Sequence, residues 1–206
     1  MLTMQQLTAA EEKRWAAMQI DPRRIAIFEQ VASRLIKPDN KKQFIAVSNL
    51  TSVPWWVIAV IKEREAGADP KWMRSIAQGD PWQHVSVHIP AGRGPFKNWT
   101  DAAVDALANC APHAAKWGDW SAGGTLMILQ MYNGLGYARG PIDRSVLPNR
   151  QHPPMASPYI WAGTNQYVKG KYVADKRFDP NAVDQQLGCA GLIKQMMELD
   201  SSIQFK

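Results

Sequence analysis

Apolar positions recur with a helical period over residues 8–36. Within that stretch Ile25, Phe28, Val31, Ala32 and Leu35 stand at i, i+3, i+6, i+7 and i+10, the stripe of an amphipathic helix. Ile20-Asp21-Pro22-Arg23-Arg24 reads as its start signal, with Asp21 as cap and Pro22 at the first helical position. Lys37-Pro38-Asp39-Asn40 breaks the pattern, and a second helix is predicted from about Lys41 to Leu50. From Val53 to Ile61 the periodicity disappears into an unbroken apolar run, which then ends abruptly in Lys62-Glu63-Arg64-Glu65-Ala66-Gly67. A segment apolar on all sides predicts a helix buried on all sides. Ser52 is its expected N-cap, Pro54 fits its first turn and Gly67 supplies a left-handed stop, giving a helix of about three to four turns.

Beyond Gly67 the pattern changes. Residues 68–83 read as loop, and Val85-Ser86-Val87-His88-Ile89 alternates as a short strand before Pro90-Ala91-Gly92-Arg93-Gly94-Pro95 turns the chain. Helices are predicted at about 100–110, capped by Thr100, and at 121–132, capped by Ser121. Residues 133–158, rich in glycine and proline, read as a long ordered loop or lid, and Phe178-Asp179-Pro180 as the start of a last helix reaching about Leu199. No internal repeat, low-complexity tract or linker interrupts the chain. The expected fold is mainly α, of α+β type: one domain over 1–206, with N-terminal helices over 1–50, a core over 51–199 and a small β element after the buried helix.

Composition narrows the function classes. An apolar fraction of 46% with 20% charged residues fits a globular domain. The net charge of +6 favours an anionic partner such as a cell wall or membrane surface. No run of five Lys/Arg residues occurs, so nucleic acid is not expected. The longest apolar run is too short for a bilayer, which needs about 20 residues. The polar start, Met1-Leu2-Thr3-Met4-Gln5-Gln6-Leu7, lacks the pattern of a signal peptide. Synthesis in the cytoplasm is therefore expected, with any action outside it following release. Cys110 and Cys189 leave a single bridge open, and the four histidines show no metal-ligand spacing. Nine tryptophans suit either a core or a sugar-binding cleft, since aromatic rings pack on apolar sugar faces.

The charged end of the buried run carries the candidate chemistry. A helix C-terminus disfavours a carboxylate, and apolar walls from Trp55, Trp56 or Ile61 would desolvate Glu65, so both effects should raise its pKa, while Arg64 and Lys62 oppose them. A carboxylic acid kept protonated near neutrality is what glycosidic cleavage needs at the leaving oxygen. The alternative is a surface glutamate pairing with Lys62 or Arg64. Asp80, in Gln78-Gly79-Asp80-Pro81, is the candidate second carboxylate, on a loop able to fold back across the helix end. Turn chemistry before Pro81 accounts for it equally well. Asp69 is nearer, in an ordinary turn context.

Ile58-Ala59-Val60-Ile61-Lys62-Glu63-Arg64-Glu65, Gln78-Gly79-Asp80-Pro81, Val87-His88-Ile89-Pro90-Ala91-Gly92-Arg93, Tyr132-Asn133-Gly134-Leu135-Gly136-Tyr137, Ser157-Pro158-Tyr159-Ile160-Trp161, Gly170-Lys171-Tyr172-Val173-Ala174-Asp175 and Gln186-Leu187-Gly188-Cys189-Ala190 occur in order. Together they resemble the lysozyme family of peptidoglycan hydrolases from phages and prophages. The first block and Tyr132-Asn133-Gly134 are also similar to goose-type lysozymes and soluble lytic transglycosylases, which pair a helix-end glutamate with an Ala-Tyr-Asn segment. Lys62 stands where a histidine is expected, Met131 replaces the alanine, and the transglycosylases' Gly-Leu-Met-Gln segment is not evident. The connection 138–156 is also longer than the family's.

The resemblance implies a lysozyme-like endolysin, a bacteriolytic glycosidase that degrades the cell wall. It would cut the β-1,4 bond between N-acetylmuramic acid and N-acetylglucosamine. Glu65 would be its general acid and Glu63 a bystander. Asp80 would serve as base or as the charge that steadies an oxocarbenium-like transition state. Tyr132 and Asn133 would line the cleft, with Tyr137 as a further substrate contact. Read from the residues themselves, Tyr159, Trp161 and Tyr167 fit stacking on sugar rings and packing of the lid onto the core equally well. Peptidoglycan glycan strands would be the partner, the protein would act as a monomer, no cofactor or metal would be required, and a holin-type pore would release it. A lytic transglycosylase, or a wall-binding or phage structural module without activity, remains the alternative.

Overall fold

The structure is a computed structural model and describes residues 2–206. Nine helices and two small two-stranded sheets are found among the described residues, a mainly α protein with a small β component. The chain packs as two compact units, neither of which follows a boundary near residue 50. One comprises Met1–Glu29, Asp119–Gln195 and Phe205–Lys206; the other comprises Gln30–Gly118 and Met196–Gln204.

In the second unit, helix α3 (Pro38–Thr51) precedes α4 (Trp55–Ala66), and the two axes are bent by 113° at the break. Pro38 sits in the first turn of α3, where its missing N–H costs nothing, so this helix starts earlier than the break signal suggested. Ser52 is not the N-cap of α4. It closes α3 in a left-handed conformation (φ 60°), and Pro54 precedes α4 without a side-chain cap. Trp56 to Lys62 are all buried, as a run apolar on every side requires. Helix α5 (Trp99–Ala108) packs on α3, and its cap is Asn98, whose Oδ1 accepts the Asp101 N–H, rather than Thr100. Phe44, Trp72 and Trp99 form an aromatic cluster, with ring centroids 5.2 Å (Phe44–Trp72) and 4.6 Å (Trp72–Trp99) apart. Trp99 therefore serves the core, with Trp72 half-buried against it.

The first unit is built on α1 (Met4–Ala16) against α6 (Ala122–Asn133). A capping box between Thr3 and Gln6 starts α1, and Ser121 caps α6 through the Gly124 N–H. The Glu12 carboxylate accepts the Gly123 N–H, adding an anion at the α6 N-terminus. A Cβ on Gly123 would lie 2.8 Å from the Thr8 carbonyl oxygen, so only glycine allows this approach. Trp161, in α8 (Pro158–Trp161), is fully buried and donates from Nε1 to Glu11 at 2.7 Å. Burial raises the pKa of Glu11, against the pull of Arg14 and this hydrogen bond.

Residues 133–158 contain α7 (Gly136–Arg139) and an antiparallel ladder of β1 (Ile142–Asp143) with β2 (Arg150–Gln151). The last helix starts later than predicted. Arg177–Asp179 is strand β4, paired with β3 (Lys171–Ala174), and α9 spans Cys189–Leu199. Asp179 accepts the Asn181 N–H at 2.8 Å, so Asp179-Pro180 makes a turn out of a hairpin rather than a helix start. Helix α2 spans Ile25–Leu35. Both cysteines are buried, and no disulfide joins them. Among the described residues no single helix is long and apolar enough to cross a membrane.

Candidate active site

Glu65 lies in the last turn of α4 and is half-buried. Ile61 and Lys62, one turn earlier on the same side of the helix, are fully buried. Glu63, two residues away, pairs with Arg34 at 2.8 Å. Glu63 is thus committed to a partly buried ion pair within its own unit.

What closes the helix behind Glu65 is Lys62. Its side chain is 2% exposed, and Nζ donates to the carbonyls of Gly67 (2.9 Å), Ala68 (2.8 Å) and Asp69 (3.3 Å). These three donations hold the chain reversal that follows α4, where Gly67 adopts φ 62°. Nζ also sits 5.1 Å from the centroid of the Trp72 ring, a cation–π contact. Burial pulls the Lys62 ammonium down to about 8, while Asp69 and Glu63 work to keep it charged and Arg34 opposes them.

The segment after this reversal folds back onto the helix end. Arg74 donates its backbone N–H to Asp69 Oδ2 (2.9 Å) and its guanidinium to the Gly79 carbonyl (3.0 Å), and it bridges Pro81 in an isolated antiparallel pair. A Cβ on Gly79, which has φ 76°, would lie 2.8 Å from the Glu65 carbonyl oxygen. Gly79 therefore lets the Gln78–Pro81 turn press against the backbone of Glu65. The loop closes across the helix end as the spacing of Glu65 and Asp80 suggested.

Asp80 organises the next loop. Its Oδ2 accepts the N–H of Val87 (2.9 Å) and of His88 (3.0 Å), and Oδ1 lies 2.6 Å from His88 Nδ1. The His88 N–H, its ring contact and the Val87 N–H outweigh burial and hold the Asp80 carboxyl below its ordinary value. A carboxylate can only accept, so His88 carries its proton on Nδ1 here. The strand predicted at 85–89 is absent. Its alternation does not become a buried face: Ser86 alone is buried, while Val85, Val87, His88 and Ile89 are exposed, Ile89 by 90%. Donation to Asp80, and Ser86 exchanging bonds with Arg93 and Pro90, replaces a strand partner. Arg93 then forms a two-point ion pair with Asp105 on α5, which also accepts from Asn109 at 2.9 Å.

The remaining predicted residues lie in the other unit. Tyr132 is half-buried, and Asn133 is exposed, donating to Ser157 Oγ at 3.3 Å. Tyr137, Tyr159, Trp161 and Tyr167 are buried. Tyr137 accepts the Tyr172 N–H, burial raises its pKa to about 12, and the Tyr167 hydroxyl bonds Gly170 and Asp184. These four rings pack inside their unit, which does not fit stacking on a sugar; Tyr132 and Asn133 keep accessible surface. Among the described residues no group of three metal-ligating side chains occurs.

Lys62, His88 and the Arg93–Asp105 pair were missed in sequence. The one legible signal was Lys62, a charge directly after an apolar run and five residues before a helix-stopping glycine. No protein-family model, curated protein or solved structure matches the chain.

Proposed function

We propose that the protein is a peptidoglycan-cleaving glycosidase of muramidase type, with Glu65 as the general acid that protonates the glycosidic oxygen. The observation that carries this reading is the placement of Glu65: it sits half-buried at the negative end of a helix whose preceding turns are buried, with the Gln78–Pro81 turn pressed against its backbone. The partial negative charge of a helix C-terminus disfavours a carboxylate, the direction an acid catalyst needs. Within the same reading Asp80 acts as a fixed negative charge rather than as a base, because both of its oxygens are engaged and its carboxyl is held ionised. The protein would reach the wall after release from the cytoplasm.

The same engagement of Asp80 favours a second reading, a lytic transglycosylase. That reaction uses one acid and the substrate's own 6-hydroxyl, and needs no second carboxylate to activate water. Mass spectrometry of muropeptides released from purified peptidoglycan separates the two. Water-added reducing ends support the hydrolase, and anhydro ends the transglycosylase. Absence of any release by the wild type across pH 5–8 would leave a binding module in place of either enzyme.

A further inference from the structure

A cleft of about 700 Å³ opens between α7, β1 and the β3–β4 hairpin, all within one unit. Its size falls within the range of small-molecule pockets, and the chemistry proposed for Glu65 makes no use of it. Leu135, Ile142, Tyr172 and Val173 supply its apolar walls. Those walls are pinned: Tyr172 accepts the Ile142 N–H at 2.9 Å and donates its own N–H to the Tyr137 hydroxyl at 3.1 Å.

The polar lining is strongly one-sided. Arg139, Arg144 and Lys176 contribute +3 and Asp175 contributes −1, a net +2. A backbone bond from Arg144 N–H to the Lys176 carbonyl (2.8 Å) joins the two segments that carry these residues at the cleft. Among the described residues the guanidinium groups of Arg139 and Arg144 make no ion pair or hydrogen bond, and Asp175 approaches only Lys176, at 4.0 Å. A guanidinium without a partner beside an apolar wall is arranged for a carboxylate or phosphate on an apolar body.

We infer that this cleft binds a small amphipathic anion, with its carboxylate or phosphate on Arg139 and Arg144 and its apolar part against Leu135, Ile142 and Tyr172. A peptide C-terminus and a phosphate ester both present this chemistry. The inference does not depend on the role of Glu65.

The test is an amide NMR titration of the full chain with four probes: N-acetyl-Ala-Ala, its C-terminal amide, isobutyl phosphate and inorganic phosphate. At least one of the two amphipathic anions is expected to shift the amides of Ile142, Arg144 and Tyr172 saturably, and the tighter of them names the source. The amide and inorganic phosphate are expected to bind at least about tenfold more weakly. Arg139→Ala/Arg144→Ala should weaken binding by a similar factor at unchanged Tm, and the single Gln substitutions give the same comparison if the double variant is poorly folded. Saturation by neither anion, equal binding of the amide or of inorganic phosphate, or unchanged binding by the variants would overturn the inference.

Discussion

Two glutamates separated by one residue close α4, and substitution tells their roles apart. Glu63→Gln removes a partly buried ion pair with Arg34 and is expected to cost about 1 kcal/mol of stability while wall cleavage persists, as denaturant unfolding and a turbidity assay would show. Lys62 acts on stability instead. Lys62→Met leaves the Gly67, Ala68 and Asp69 carbonyls without their donor, at a cost of roughly 2–4 kcal/mol. The sign of its pH dependence follows from the direction of its shift. The folded protein releases this proton near 8 and the unfolded chain near 10.5, so between those values the unfolded state binds more protons. This group's contribution to unfolding free energy therefore rises with pH across that window. Urea unfolding from pH 7.5 to 10.5 should show wild type gaining on Lys62→Met; parallel curves would contradict a depressed Lys62.

Among the elements, α4 and the loop that follows it form one construction: a buried helix, a lysine clamp at its end, and two turns folded back over the last residues. Asp80→Asn is expected to loosen the 80–88 loop at about 1–3 kcal/mol, since two backbone N–H groups lose a charged acceptor. Because its folded pKa lies below 3.8, the stabilisation is present above that value and is lost as pH falls through the folded one. The difference between wild type and Asp80→Asn should accordingly shrink in acid and stay constant from pH 5 to 8. Arg93→Met leaves the buried Asp105 with only Asn109 and the Cys110 thiol as side-chain donors, at about 2 kcal/mol, and frees the loop from α5. Faster hydrogen exchange at Ser86 and Arg93 would report that release.

At the scale of the whole molecule, the helices were legible because apolar periodicity and buried runs are local in sequence. The buried face of α4, the Ser121 cap and the glycine stop all followed from residues within one or two turns. What was not legible depended on partners distant in the chain. Asp179-Pro180 carries a helix-start signature, yet β3 claims the preceding residues for a hairpin. Val85 to Ile89 alternates like a strand, but its N–H groups find a carboxylate and no neighbouring strand. The aromatic residues expected on a sugar-binding surface read identically as core until burial separates Tyr132 from Tyr137, Tyr159, Trp161 and Tyr167. Trp161 illustrates the consequence: Trp161→Phe strips the buried Glu11 of a donor, so Tm should fall by several degrees.

The role of Glu65 is tested most directly by clearing of purified peptidoglycan with wild type and Glu65→Gln at matched concentration and confirmed equal Tm. A general acid contributes about 10²–10⁴-fold, so clearing by Glu65→Gln should fall at least a hundredfold. Equal clearing by the two proteins would contradict the assignment of Glu65 as the proton donor.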